Sequence, residues 1–166
     1  MFANHRQKLY ARTVLAPFKK MKEIQIKKYV LYLFGISILA FILNKLYIRN
    51  WILENDMPEF IKIVTFSIPN LIEAIIVTLI STGILLQMRQ HFSKKFGSMK
   101  IKHVHILASS VTTIYVISQE LKFHNLGGNN VYDPYDLIAS FIGLIGTFGL
   151  IRLFGFADKT GIDTRD

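Results

Sequence analysis

The chain has 166 residues, of which 51% are hydrophobic, and its mean hydropathy of +0.35 argues against an ordinary soluble domain because the apolar residues come in long blocks. The net charge of +9 lies in two basic blocks between those segments without any nucleic-acid-binding motif, which argues against a nucleic-acid partner and in favour of anionic lipid. The absence of cysteine excludes disulfides, thiolate metal sites and a cysteine nucleophile.

Residues 1–28 are predicted to form a basic cytoplasmic arm. They contain eight lysines or arginines and a single acid, Glu23, which favours a solvated tail on anionic lipid over a short interfacial helix before Pro17. The first long apolar run begins only at Tyr29, and no small-residue cleavage site follows it. A secretory signal peptide is therefore not predicted, and the first membrane segment is expected to stay in the protein.

Four apolar segments are each predicted to be a membrane-spanning helix, since about 20 residues at 1.5 Å each cross the hydrocarbon of a bilayer. The third segment is the least apolar, and its serines and threonines are expected to face neighbouring helices inside a bundle. The predicted fold class is all-α, a four-helix transmembrane bundle followed by a polar C-terminal tail. The helices are 29–48, 68–87, 104–120 and 136–154, the transmembrane domain is 29–154, and the tail is 155–166.

The distribution of basic residues predicts the orientation of this bundle. The N-terminal arm contains eight and the 89–103 loop five, whereas the 49–67 connection contains two and the 121–135 loop one. The positive-inside rule therefore places both termini and the 89–103 loop in the cytoplasm, in a multi-pass protein of the cytoplasmic membrane.

No further span is predicted within 49–67, and Pro69 is expected in the first turn of the second helix, where proline is tolerated.

This orientation gathers polar residues at the outer surface. Glu73 is expected about one turn below the outer interface, where an ionisable side chain is costly and is by default a functional hypothesis. The third helix ends outside with Gln119 and Glu120, and the fourth begins outside with Asp133 and Asp136. These five residues are the candidate binding site, and no catalytic residue, metal ligand or cofactor is assigned.

Each of these residues also has a purely structural interpretation. Asp133 and Asp136 flank a proline as an N-cap and a first-turn acid, which complement the helix dipole. Glu120 is explained equally well by solvation at a helix end, and Gln119 by a hydrogen bond between helices. Glu73 has one alternative, a protonated and neutral carboxyl, because burial raises the pKa of such a group.

The fourth helix has a predicted small-residue face. Small residues let helix backbones approach each other closely within a membrane. The face is expected to pack inside the bundle or between two copies of the chain, so a homo-oligomer is one predicted assembly. Its members are Gly143, Gly146 and Gly149, together with Ala139, Ser140 and Thr147.

Residues 115–119 (Tyr-Val-Ile-Ser-Gln) and 131–143 (Val-Tyr-Asp-Pro-Tyr-Asp-Leu-Ile-Ala-Ser-Phe-Ile-Gly) are separated by a short polar loop. This arrangement resembles the signature of VanZ-like bacterial membrane proteins, in which a glutamate and a glutamine end one helix and an aspartate pair, a small residue and glycines open the next. Gln119 matches the glutamine, whereas Tyr115 or Val116 stands at the position of the glutamate. The resemblance implies a role in the cell envelope and an association with resistance to the glycopeptide teicoplanin.

The leading hypothesis is a cell-envelope protein whose outer polar cluster binds a lipid-linked or cell-wall ligand without catalysis. One alternative is a small envelope enzyme that acts on a lipid-linked headgroup and uses carboxylates as bases or metal ligands. A divalent cation held between the acids and the 127–130 loop is a weaker variant, because no spacing specifies it. The other alternative is a transporter or channel subunit, which is disfavoured because no acid is predicted near the bilayer midplane, where coupling sites usually lie.

Overall fold

The computed structural model describes residues 24–92, 99–120 and 133–158, and within them the chain is all-α, as predicted. The predictions for the N-terminal arm before residue 24, for the glycine and asparagine loop, and for the tail from residue 159 lie outside the described residues. Four helices are present in the described part. They are α1 (Lys28–Glu54), α2 (Glu59–His91), α3 (Ile101–Glu120) and α4 (Pro134–Phe154).

Successive helices run in alternating directions. The start of α1 and the end of α4 are joined by backbone hydrogen bonds, from Lys27 N–H to the Phe156 carbonyl (3.1 Å) and from Asp158 N–H to the Gln25 carbonyl (2.9 Å). The end of α2 and the start of α3 pack at the same end of the bundle. There they share one apolar cluster with the other two helices, which contains Val30, Leu79, Leu86, Val104, Ile151 and Phe156.

This alternation separates the charges of the chain. We call the end where α1 and α3 begin the basic end, because Lys27, Arg89, Lys100 and Arg152 lie in or beside the helix termini there. We call the opposite end, where α2 and α4 begin, the acidic end. This separation of basic and acidic residues is the one expected for four antiparallel spans.

Three of the described helices are long and apolar enough to cross a membrane, namely α1, α2 and α4. Helix α3 has 20 residues but carries histidines, serines and threonines, and it is not among these three. The chain therefore has the helix composition of a multi-pass membrane protein. A membrane span for α3 stays a prediction.

The outer surface of the bundle is far more apolar than that of a soluble bundle. Large apolar residues face outward, including Ile36 on α1 (65% exposed) and Leu153 on α4 (79% exposed). Threonines at the centre are buried, and each donates its hydroxyl to a carbonyl one turn earlier in its own helix, as Thr78 does to Ala74 and Thr112 to Ala108. Such an arrangement suits a hydrocarbon solvent, where apolar surface is stable outside and hydroxyl groups must be satisfied inside.

Helices α2 and α4 make the most extensive contact of the bundle. At Gly143 a Cβ atom would lie 2.3 Å from the Leu71 carbonyl oxygen, so only glycine permits this approach. Gly146 and Gly149 have open space around them, so the predicted small-residue face is only partly correct. Residues three positions apart in an α-helix are separated by about 300°, which is 60° less than a full turn. Each successive glycine of the series therefore points further away from α2. The face that is buried follows the four-residue spacing of Ala139, Gly143 and Thr147.

Helix α2 is longer than the predicted second span, and Pro69 lies inside it rather than in its first turn. Residues 49–54 are also helical, so the predicted 49–67 connection shrinks to the few residues between α1 and α2. Proline in a helix interior leaves the carbonyl four residues earlier without its hydrogen-bond donor. Here the side-chain amide of Asn44 donates to that carbonyl, on Thr65, at 3.2 Å, which explains why the helix continues.

Candidate functional site

Glu73 of α2 and Tyr115 of α3 form the central contact of the candidate site. The Tyr115 hydroxyl donates to Glu73 Oε1 at 2.7 Å. The Gln119 side chain lies one turn further along α3, near the same hydroxyl, and is exposed. The structure therefore brings together two residues predicted from the sequence, Glu73 and Gln119, through a third that was not predicted as part of the site.

Close packing next to this pair explains why the side chains meet. Ala74 is fully buried and forms a small cluster with Val116 of α3 and Leu144 of α4. Because alanine occupies little space, all three helices approach each other at this level. The neighbouring positions Glu73 and Tyr115 then face each other at the edge of the contact, where both are half-buried.

Helix α4 fixes the relative depth of the acids. The Ser140 hydroxyl donates to the Asn70 carbonyl at 3.3 Å, so these two residues lie at one level of the bundle. Asp136 lies four residues from this level toward the acidic end, and Glu73 lies three residues toward the basic end. At 1.5 Å per residue the two carboxyl-bearing positions are about 10 Å apart along the bundle axis.

Asp133 and Asp136 have different environments. Asp133 is the N-cap of α4, and its carboxylate accepts a hydrogen bond from Tyr135 N–H at 2.9 Å, with Pro134 as the first helical residue. This confirms the capping interpretation. Asp136 is half-buried in the first turn, and its Oδ1 atom is shielded from solvent without a hydrogen-bond partner among the described residues. Glu120 is the last residue of α3, and its side chain is not described.

Glu73 lies much further from the start of its helix than the sequence suggested. It is the only charged residue of α2 between Lys62 and Arg89, about 16 Å from the first and about 24 Å from the second along the helix. The expected depth of one turn assumed that α2 begins near residue 68, whereas it begins at Glu59. Glu73 therefore lies within the apolar part of α2. Because α2, with 33 residues and about 49 Å, is longer than the hydrocarbon of a bilayer, the predicted depth of Glu73 in the membrane stays a prediction.

No set of three or more histidine, aspartate or glutamate side chains in the described part of the chain is arranged to hold a metal ion. No family model, curated protein or solved structure matches the chain. The similarity to VanZ-like proteins therefore stays a prediction that depends on residues 115–143 alone. The chemistry of the site has to be argued from the contacts of Glu73 and Tyr115.

Proposed function

We propose that the protein is a four-span protein of the cytoplasmic membrane, with both termini inside, and that the Glu73–Tyr115 pair binds the polar group of a ligand that enters from the outer leaflet. The helix composition of α1, α2 and α4 supports the membrane location. The collection of basic residues at one end of the bundle supports the orientation, because such residues stay in the cytoplasm. Helix α3 is included as a span because its polar side chains are sheltered by the other helices.

The observation that carries this proposal is the hydrogen bond between Tyr115 and Glu73 within the apolar part of the bundle. A carboxyl group at this depth is costly unless it is neutral, hydrogen-bonded or paired with a cation. Tyr115 supplies one hydrogen bond, and no lysine, arginine or histidine of the described segments lies within ion-pair distance of Glu73. The site therefore suits a ligand that brings a positive charge or hydroxyl donors, such as an amine-bearing or sugar-bearing headgroup.

An outer-leaflet role of this kind agrees with the cell-envelope role implied by the VanZ-like resemblance, which we retain as part of the proposal. The enzyme alternative has less support, because the described residues contain neither a metal cluster nor a nucleophile motif beside Glu73. The transporter alternative is supported only by the presence of an acid within the apolar part of α2. In proteoliposomes a proton-coupled transporter would show a proton flux that Glu73→Gln abolishes, whereas a binding protein would show none.

Labelling with dicyclohexylcarbodiimide tests the site. This apolar reagent reacts with protonated carboxyls in hydrocarbon and leaves a stable adduct that mass spectrometry can place on one residue. In vesicles, Glu73 is expected to be labelled faster than Glu59, which is exposed at the start of the same helix. Glu73→Gln should remove the adduct. Labelling of Glu59 without labelling of Glu73 would contradict an intramembrane carboxyl.

A susceptibility assay tests the role. Bacteria that express the chain are expected to lose any change in teicoplanin susceptibility with Glu73→Gln and with Tyr115→Phe, because each variant removes one side of the hydrogen bond. Glu59→Gln is the matched control, since it removes an equal charge from an exposed position. If Glu73→Gln and Tyr115→Phe behave like the wild type while their membrane levels are unchanged, the pair has no part in the phenotype.

A further inference from the structure

The contact between α1 and α2 at Pro69 holds polar side chains that the Glu73 site does not use. Because Pro69 has no N–H, the Thr65 carbonyl lacks its helical donor, and the side-chain amide of Asn44 donates to it instead. Asn44 is 1% exposed, so this hydrogen bond is shielded from solvent between the two helices. Next to it, Arg49 Nη2 donates to the Phe66 carbonyl at 2.8 Å.

A local change of helix type directs both side chains toward α2. Residues Asn44–Ile48 of α1 form a π-helical turn, in which Arg49 N–H donates to the Asn44 carbonyl. This is a bond between residues five apart rather than four, so positions 44 and 49 lie on one face. Turns of this type are frequent at functional sites, because they aim side chains that a regular helix would spread apart.

The charge of Arg49 is not neutralised by the protein in the part of the chain that is described. Its guanidinium is half-buried and lies 4.7 Å from the centre of the Phe66 ring, and the one ion pair found there joins Lys62 and Asp56 instead. One of its five N–H groups is accounted for by the Phe66 carbonyl. A partly desolvated guanidinium with free donors is a strong receptor for an anion.

Hydrogen-bonding capacity is also left over around Arg49. Arg49 Nε is a buried donor without a hydrogen-bond partner in the described segments. Native proteins satisfy nearly all such groups, so this donor indicates that an acceptor such as a phosphate oxygen completes the contact.

The depth of Arg49 identifies that group. Arg49 follows Lys28 by 21 positions, about 31 Å of helix, which equals the hydrocarbon thickness of a bilayer. Tyr47 (66% exposed) and Trp51 (54% exposed) flank it and have the position of interfacial aromatic anchors. Residues on either side of Arg49 in α1 line a shallow, mainly apolar groove that is suited to an acyl chain. Its lining is Leu46, Tyr47, Ile48, Asn50, Trp51 and Glu54.

From these observations we infer that Arg49 binds the phosphate of a phospholipid in the leaflet at the acidic end, with the acyl chain along α1. The planar guanidinium presents two parallel N–H donors that match two phosphate oxygens. Its contact with the Phe66 ring and carbonyl holds it in place before the lipid arrives. This inference needs the membrane location of the proposed function but not its Glu73 site.

Thermal unfolding of the full chain in detergent tests the inference. Three additions are compared: phosphatidylglycerol, a phosphate-free diacyl glycolipid with the same acyl chains, and inorganic phosphate. The measurement is made in the Glu73→Gln background, so that the proposed Glu73 site does not respond to the sugar headgroup. There phosphatidylglycerol is expected to raise the unfolding temperature, and the other two are not. Adding Arg49→Gln should weaken the response to phosphatidylglycerol at least five-fold. An equal response of Glu73→Gln to the glycolipid or to inorganic phosphate would overturn a phospholipid site.

Lys45→Gln is the matched control, because Lys45 lies one turn earlier on α1, is exposed and faces the Phe41 ring instead. It removes the same charge and should keep the response to phosphatidylglycerol. If Arg49→Gln does not fold, Arg49→Lys retains the charge without the planar donors and is expected to bind several-fold more weakly. Binding equal to wild type in Arg49→Lys, or an equal loss in Lys45→Gln, would show non-specific charge attraction and overturn the inference.

Discussion

The contact between α2 and α4 and the contact between α1 and α2 are made by different kinds of residue. Between α2 and α4, Gly143 brings one backbone against another, and the surrounding side chains are small and closely packed. Between α1 and α2, the side chains of Asn44 and Arg49 reach across to backbone carbonyls beside a proline, and polar atoms stay unpaired. The first contact is made by close packing, whereas the second contains hydrogen-bonding groups that the described residues do not pair.

The two contacts also differ in how much of each helix they cover. In the most apolar stretch of α1 only 11% of residues are buried in the protein, compared with 33% in α2 and 28% in α4. Most of α1 therefore lies outside the packed bundle. Val30 at the basic end and the hydrogen bonds of Asn44 and Arg49 nearer the acidic end hold it against the other helices. We expect α1 to be the helix most sensitive to its lipid surroundings.

The largest expected effect belongs to the packing contact. Gly143→Val should destabilise the bundle by about 3 kcal/mol, at the upper end for overpacking, because the added carbons meet a backbone carbonyl that cannot move away cheaply. Thermal unfolding in detergent measures this loss. Gly146→Val is the matched control on the same helix, where open space should limit the change to the small propensity difference between the two residues. Equal unfolding temperatures for the two variants would contradict the close approach.

The second effect concerns the polar contact. Asn44→Leu should destabilise the protein by about 2 kcal/mol, since it leaves the buried Thr65 carbonyl without a donor. Pro69→Ala restores the missing N–H and should recover most of that loss in the double variant. A double-mutant cycle on the free energy of unfolding measures this coupling. Additive effects would show that Asn44 does not compensate for the proline, and Asn50→Leu, on the exposed side of α1, is the control.

The third effect is at Glu73. Tyr115→Phe removes one hydrogen bond and should cost about 1 kcal/mol of unfolding free energy. It should also speed carbodiimide labelling of Glu73, because the carboxyl loses the hydroxyl that occupies Oε1. Tyr135→Phe removes a hydroxyl from an exposed position and should change neither quantity. Unchanged labelling in Tyr115→Phe would mean that the hydroxyl does not shield the carboxyl.

The smallest effect is at the turn between α1 and α2. The hydrogen bond from Lys62 and its positive charge lower the pKa of Asp56 below its ordinary value of 3.8. Because this pKa is lower in the folded state, the pair stabilises the protein above pH 3.8, and that contribution is lost as the pH falls through the lowered value. Asp56→Asn should remove this part of the acid dependence of unfolding. Asn also tolerates the positive φ of 42° at this position. A steeper acid dependence in Asp56→Asn would contradict the assignment.

Local signals in the sequence were sufficient for some of these features. The Asp-Pro pair at 133–134 specifies a helix start by itself, and the structure confirms it. The apolar segments predicted the all-α class in the same way. Each of these features depends on residues that are neighbours in the chain.

The features that the sequence analysis missed depend on distant partners. Pro69 is tolerated in a helix interior only because Asn44, on another helix, replaces a lost donor. The error in the start of α2 then put Glu73 too close to the start of its helix. Tyr115 was overlooked although it precedes Gln119 by one turn and so shares its face, a spacing that could have indicated a joint contact.

The central claim is that four helices cross the membrane with the acidic end outside, and labelling of single cysteines tests it most directly. The chain has no cysteine of its own, so each introduced one is the only target. With an impermeant maleimide on intact cells, Asn55→Cys and Tyr135→Cys should be labelled, whereas Lys100→Cys and Asp158→Cys should react only after the membrane is opened. Labelling of Tyr135→Cys on the same side as Lys100→Cys would show that α3 does not cross the membrane and would contradict the account.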